Sequence, residues 1–128
     1  MALLAHSTNT VSDRVIAAAI EVHRHLGPGL LESAYRHCLC LELEAHGIPH
    51  EVEIAVPVVY RGHQISPGYR IDLLVERTLV VELKAVQEIL EIHRAQVLTY
   101  LKLSDYPAGL IINFHANLLK NGLRRILL

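Results

Sequence analysis

The stretch RIDLLVERTLVVELKA, residues 70–85, constrains the fold more than any other part of the chain. It reads as two apolar strands joined by a turn around Glu76, Arg77 and Thr78. The runs LLV and LVV leave no polar face, which marks strands covered on both sides. Yet Asp72, Glu82 and Lys84 interrupt them where aliphatic residues belong. With a three-residue loop, Val75 pairs with Leu79, and counting back sets Asp72 directly opposite Glu82. A two-residue turn would shift that register by one. Directly opposed residues share a face, with Cβ atoms about 4.5–5.5 Å apart. Lys84, two beyond Glu82, points to the same face. Two carboxylates so close repel by about 3 kcal/mol at an effective dielectric constant of ~20. Sheet stability alone does not explain such a pair. One reading is a solvated face with a salt bridge to Lys84. The other is a cation site, because Mg²⁺ or Mn²⁺ takes carboxylate oxygens together with waters and substrate phosphate. A lysine beside such an ion can orient a water or steady charge developing on a phosphate. The doubly covered strands favour the second reading, which is the chemistry of phosphodiester hydrolysis.

The rest of the chain supplies a frame for this hairpin. Its 128 residues suit one domain, residues 1–128. Thr10 and Ser12 are N-cap candidates, followed at helical spacing by Val15, Ile16, Ala19, Ile20, Val22 and Leu26. Gly27-Pro28-Gly29 ends that helix. A second runs from about Leu30 to His46, with Gly47 as its stop, and carries Glu32, Tyr35 and Leu39 on one face. EVEIAVPVVY alternates as a half-buried strand through Val52, Ile54, Val56 and Val58, and Pro57 argues for an edge position or a bulge. RGHQ reads as a turn leading to the GYRIDLLV strand. A helix from about Glu88 to Leu103 follows the hairpin, then AGLIINF as a buried strand and LRRILL as a short terminal one. The order is ααβββαββ: an α/β or α+β fold, a mixed β-sheet flanked by helices.

Composition narrows the function classes. Hydrophobic residues make up 52% and mean hydropathy is +0.31, so the apolar surplus points to a homodimer interface. No apolar run reaches the ~18 residues of a membrane span. MALLAHSTNTVSDR has neither a basic n-region nor a long apolar segment, so no signal peptide is expected and the chain reads as cytoplasmic. Cys38 and Cys40 diverge on a helix and read as reduced thiols. Of nine histidines, the HRH run at 23–25 also diverges and reads as surface. Lys120, Arg124 and Arg125 form a compact basic cluster, either a solvated strand or a phosphate contact. The net charge of −1 is not that of a bulk-charge nucleic-acid binder. A nucleic-acid role must rest on local charge, bound ions, a second subunit or a protein partner.

Asp72 followed by VVELKA resembles the core of the PD-(D/E)xK nucleases. GLLESAY, residues 29–35, matches the glycine, glutamate and tyrosine of the GxxExxY proteins, a family placed in that superfamily. The resemblance runs from about Ser12 to Ile126 and implies a restriction-endonuclease-like core. It implies Asp72, Glu82 and Glu32 as metal ligands for Mg²⁺ or Mn²⁺, and Lys84 as the catalytic lysine. Gln96 and Tyr100 look like the Q-xxx-Y of RecB-like nucleases. Ile71 stands where the motif has proline, and the four cysteines of iron–sulfur relatives are absent. His93, Gln96 and Tyr100 share one helix face at i, i+3 and i+7 and, with Tyr35, are candidate substrate contacts. Tyr100 as core with its hydroxyl at the rim, and Gln96 as a cap, is the alternative. The expected activity is metal-dependent hydrolysis of DNA, with RNA left open. The competing expectation is a non-catalytic or partner-dependent binding module on a nuclease scaffold.

Overall fold

Strand β6 (Ala108–Asn113) is buried at every residue, and β5 (Leu79–Lys84) at all but its last. Strands this apolar must be covered on both faces, and they are. The computed structural model describes residues 8–65 and 69–128. Helices α1 (Thr8–Leu26) and α2 (Glu32–Ala45) cover one face of a five-stranded sheet, and α3 (Glu91–Ser104) covers the other. The sheet order is β1-β4-β5-β6-β7, with β1 spanning His50–Val56, β4 Tyr69–Val75 and β7 Leu123–Leu127. Only β5 and β6 run parallel, joined by the α3 crossover. The result is the expected mixed sheet flanked by helices.

Alternation along the central strands builds the two cores. Leu73, Val75 and Val81 pack with Val15, Leu39 and Leu43 of α1 and α2, while Leu74, Val80 and Ile111 pack with Val97 and Leu101 of α3. The hairpin has the three-residue loop and pairs Val75↔Leu79, Leu74↔Val80 and Leu73↔Val81. Glu76 and Arg77 take φ of 50° and 57°, and the Thr78 N–H donates to the Val75 carbonyl at 3.1 Å. Arg14 of α1 pairs with Glu76 at 3.0 Å, tying the turn to the helical layer.

Several local expectations are corrected. RGHQ is more than a turn: β2 (Val59–Tyr60) and β3 (His63–Gln64) form a separate ribbon, reversed at Arg61 and Gly62, both with positive φ. Strand β1 is an edge, as Pro57 implied, but its burial does not alternate. Val52 is 47% exposed and Val56 only 1%. Glu53 lies between them with φ of 52°, a left-handed residue that breaks the two-residue period. Helix α3 starts at Glu91 rather than Glu88, after a loop, and α2 at Glu32 rather than Leu30. Cys38 and Cys40 are free and half-buried. Among the described residues no helix is long and apolar enough to cross a membrane. The signal-peptide reading of residues 1–7 and the Gly68 start of the β4 reading lie outside the described residues.

Tyr35 is reassigned from substrate contact to structure. Its ring is fully buried and stacks on Phe114 at 4.4 Å between centroids, 6° from parallel. Its hydroxyl donates to the Gly27 carbonyl at 2.5 Å and accepts from the Leu30 N–H at 3.1 Å. Gly29, between these anchors, has φ of 109°, which only glycine adopts without strain. The GLLESAY motif is therefore a clamp that closes the α1–α2 connection and fixes where Glu32 begins α2. Tyr35→Phe keeps the stack but strands both backbone groups, so stability should fall by about 1–3 kcal/mol. Urea denaturation of the two proteins checks this; equal midpoints would show that the hydroxyl is not a clamp.

Candidate active site

The site lies where the sheet forks. Beyond Leu73↔Val81, β4 continues to pair with β1 and β5 with β6, but the ladder between β4 and β5 stops. The two carboxylates take over its hydrogen bonds. The Asp72 N–H donates to Glu82 Oε1 at 3.1 Å, and the Leu83 N–H donates to Asp72 Oδ2 at 2.9 Å. Asp72 and Glu82 thus face each other, as the hairpin register requires, and each is anchored by backbone beside the other. One oxygen of each, Asp72 Oδ1 and Glu82 Oε2, keeps no hydrogen-bond partner among the described residues.

Three more elements surround the fork. Glu32, Ser33 and Arg36 of α2 line a cleft of about 230 Å³ with Asp72 and Leu83. Glu32 is exposed at its rim and accepts from the Ala85 N–H at 3.3 Å, just past β5. Glu53 breaks the bridge with Asp72 that its neighbours Val52↔Leu73 and Ile54↔Ile71 would frame. Its carboxylate meets Arg36 and Arg70, each at 3.5 Å. Lys84 is half-buried and pairs in register with Asn113 of β6. Buried Asn113 donates to the Val86 carbonyl at 2.8 Å and accepts from the Val86 and His115 N–H groups at 3.1 and 3.2 Å. It thereby fixes the backbone immediately after Lys84.

Glu82 keeps 8% of its surface, and its carboxyl is pushed up to about 7, first by burial and then by the charge of Asp72. The Asp72 N–H and Lys84 oppose this. Asp72 is also raised by burial, against the Leu83 N–H, Arg36 and Lys84. Lys84 thus acts on both acids without an ion pair. The nearby salt bridges run through Glu53 instead, and none reaches Lys84 among the described residues. The solvated salt-bridge reading of the hairpin is not what the structure holds.

On the α3 side, exposed Gln96 and half-buried Tyr100 line a groove of about 300 Å³ with Tyr69, Ile92 and Thr99. Burial, then the charge of Glu82, makes the Tyr100 hydroxyl harder to ionise, which fits a ring beside the acidic pair. His93 does not join this groove. Its Nδ1 accepts from the Leu90 N–H at 3.0 Å, so the imidazole reaches back to cap α3. Its Nδ1 is spent on this cap. Sequence reasoning missed Arg36 and Asn113. Their signals are the i+4 spacing of Arg36 from Glu32 and a lone amide closing the apolar run AGLIIN.

The donor chemistry suits a hard divalent ion. Among the described residues no three His, Cys, Asp or Glu side chains gather closely enough to hold an ion alone. Mg²⁺ and Mn²⁺ do not need that, because they retain waters beside one or two carboxylates. Asp72 and Glu82 offer one free oxygen each in a pocket that resists two bare negative charges. Glu32 stands at the rim rather than closing a three-carboxylate cage.

A mixed sheet forked at an aspartate–glutamate pair, with E-x-K on one prong and helices on both faces, is the architecture of restriction-endonuclease-like proteins. Residues 9–126 match the PD-(D/E)XK nuclease superfamily, and the chain belongs to it. No curated protein and no solved structure was found to match the chain.

The raised Glu82 carboxyl has a definite consequence for the metal-free protein. The native state holds this proton more tightly than the unfolded chain, whose carboxyl titrates near 4.5. Stability from this group is therefore complete below about pH 4.5 and is lost as pH rises through about 7. The loss should approach about 3 kcal/mol. Glu82→Gln keeps an acceptor for the Asp72 N–H and removes the titration, so its stability should be flatter across this window and higher above it. Urea titrations in EDTA at both ends of the window check the sign; parallel curves would overturn it.

Proposed function

We propose that this protein is a Mg²⁺- or Mn²⁺-dependent nuclease that hydrolyses DNA phosphodiester bonds. The observation that carries the reading is the interlocked Asp72–Glu82 pair, each acid tied by one oxygen and free at the other, with Lys84 beside both. Asp72 and Glu82 would hold the ion, which would supply positive charge at the scissile phosphate. Lys84 adds an ammonium where the phosphate oxygens gain charge, an interaction stronger in the transition state than in the ground state. Arg36, on the cleft wall, offers a planar donor to a phosphate oxygen. Glu32 sits at the rim to order water near the ion. Gln96 and Tyr100 contact the bound strand along α3. The Gly29–Glu32–Tyr35 clamp supports placing the chain with the GxxExxY proteins inside the superfamily. The homodimer is also part of this proposal. Leu31 and Leu41, 76% and 65% exposed, crown the α2 layer, and a second copy would cover apolar surface and add substrate-binding area.

Lys84→Met keeps the aliphatic stem and deletes the charge. Single-turnover cleavage of DNA with Mn²⁺ should drop by about 10²-fold or more. The melting-temperature rise caused by Mn²⁺ should survive in this variant and vanish in Asp72→Asn. Equal Mn²⁺ shifts in wild type and Asp72→Asn would remove Asp72 as a ligand. Wild type that cleaves neither DNA nor RNA with either metal, alone or with partners, would leave the binding-module reading in its place.

A further inference from the structure

The groove beside the acidic pair has a wall chemistry unlike that of the catalytic cleft. The cleft is lined by Glu32, Ser33, Arg36, Asp72 and Leu83, whereas the groove is lined by Tyr69, Tyr100, Ile92 and Leu103, with Gln96, Thr99 and the two tyrosine hydroxyls as its hydrogen-bonding groups. Among the described residues no carboxylate lines it. Tyr69 is 61% exposed, and its ring lies 6.2 Å from that of Tyr100, tilted by 34°. Tyr100 is half-buried, one side against the α3 core, whereas Tyr69 stands free of it. Val58, at the root of the β2–β3 ribbon, closes one side, and the ribbon carries Tyr60 outward with the Arg61 guanidinium 5.7 Å from its ring.

The groove and the cleft meet at β4, which supplies Tyr69 to one and Asp72 to the other. Tyr69 precedes Asp72 by three residues of β4, a reach of about 10 Å along a strand. Tyr100 feels the charges of both Glu82 and Asp72. A strand whose phosphate reached the acidic pair would therefore lay a neighbouring base over Tyr69 and Tyr100. Aromatic faces bind bases only when these are unstacked, and they do so with little regard to sequence. A duplex keeps its bases inside and offers this wall nothing but sugar and phosphate. Arg61, whose guanidinium lies 5.7 Å from the Tyr60 ring, suits the phosphate beside a stacked base. The apolar side chains of the wall, Val58, Ile92 and Leu103, offer a ribose 2′-hydroxyl no partner, which favours deoxyribose.

We propose that the Tyr69–Tyr100 groove, extended by the β2–β3 ribbon, is a base-stacking site for single-stranded DNA, and that single strands or unpaired ends are the substrate class. This rests on the nuclease reading for its purpose but is tested without cleavage. The chain has no tryptophan and five tyrosines, so tyrosine emission reports stacking directly. The full-length protein in EDTA is titrated with labelled oligo(dT), a duplex of equal length and oligo(rU), following anisotropy and tyrosine quenching together. Oligo(dT) should bind more tightly than either competitor and quench tyrosine emission. Tyr69→Ala should weaken oligo(dT) binding by about tenfold or more, with an unchanged melting temperature because the ring is exposed. Tyr69→Phe should restore binding, since stacking needs the ring and not the hydroxyl. Equal or tighter duplex binding, equal or tighter oligo(rU) binding, an unaffected Tyr69→Ala, or no binding to any of the three would each overturn the proposal. Because metal is absent throughout, failure of cleavage and failure of this site read out separately.

Discussion

The repulsion between Asp72 and Glu82 is the constraint around which this fold is arranged. Two acids opposed on paired strands would ordinarily separate, protonate or be lost from a buried position. Here the main chain holds them together. The Asp72 and Leu83 N–H groups, freed where the β4–β5 ladder ends, bind the side chains instead of main-chain carbonyls across the strand. The fork and the acidic pair are thus one feature. Without the fork the N–H groups would be spent on a ladder, and without the carboxylates the opened strands would leave buried donors unsatisfied.

The rest of the molecule resists closure of that fork. β4 is held on its other side by β1, and β5 by β6 and the Asn113 amide. Helices on both faces fill the cores on either side of the fork, so neither strand can slide without disrupting packed aliphatic residues. The Tyr35 clamp sets the start of α2, and α2 then delivers Glu32 and Arg36 to the cleft a turn apart. Glu53 shows the same economy at the sheet edge. Its left-handed backbone interrupts the β1–β4 ladder for one residue beside Asp72 and turns a carboxylate towards two arginines rather than towards the acidic pair.

Much of this is legible in the sequence because it depends on period and spacing. The doubly buried strands, the three-residue hairpin loop and the facing of Asp72 and Glu82 follow from counting residues, and the structure reproduces them. What escapes counting depends on the destination of individual hydrogen bonds. Tyr35 carries a polar tip that looks available, and only the folded chain shows it spent on Gly27 and Leu30. His93 has the right helical spacing for the groove, yet its position in the first turn of α3 gives it a nearer partner in the Leu90 N–H. Glu53 looks like one more polar residue of an alternating strand, because nothing in a period-two pattern announces a left-handed residue. Arg36 and Asn113 are ordinary residue types whose roles arise from which strands lie beside them.

A net charge of −1 then acquires a physical reading. A protein that grips duplex DNA through many phosphates needs a surplus of cations and loses affinity steeply with salt. This chain spends its arginines on local acids: Arg14 on Glu76, Arg36 and Arg70 on Glu53, Arg125 on Asp13. Few cations remain for a general hold on backbone phosphate. A binding surface with little charge must recruit another force, and the proposed stacking on Tyr69 and Tyr100 is one. The low charge that argues against a duplex-binding nuclease is thus compatible with one that takes single strands, positions one phosphate at the acidic pair and holds its neighbours by stacking.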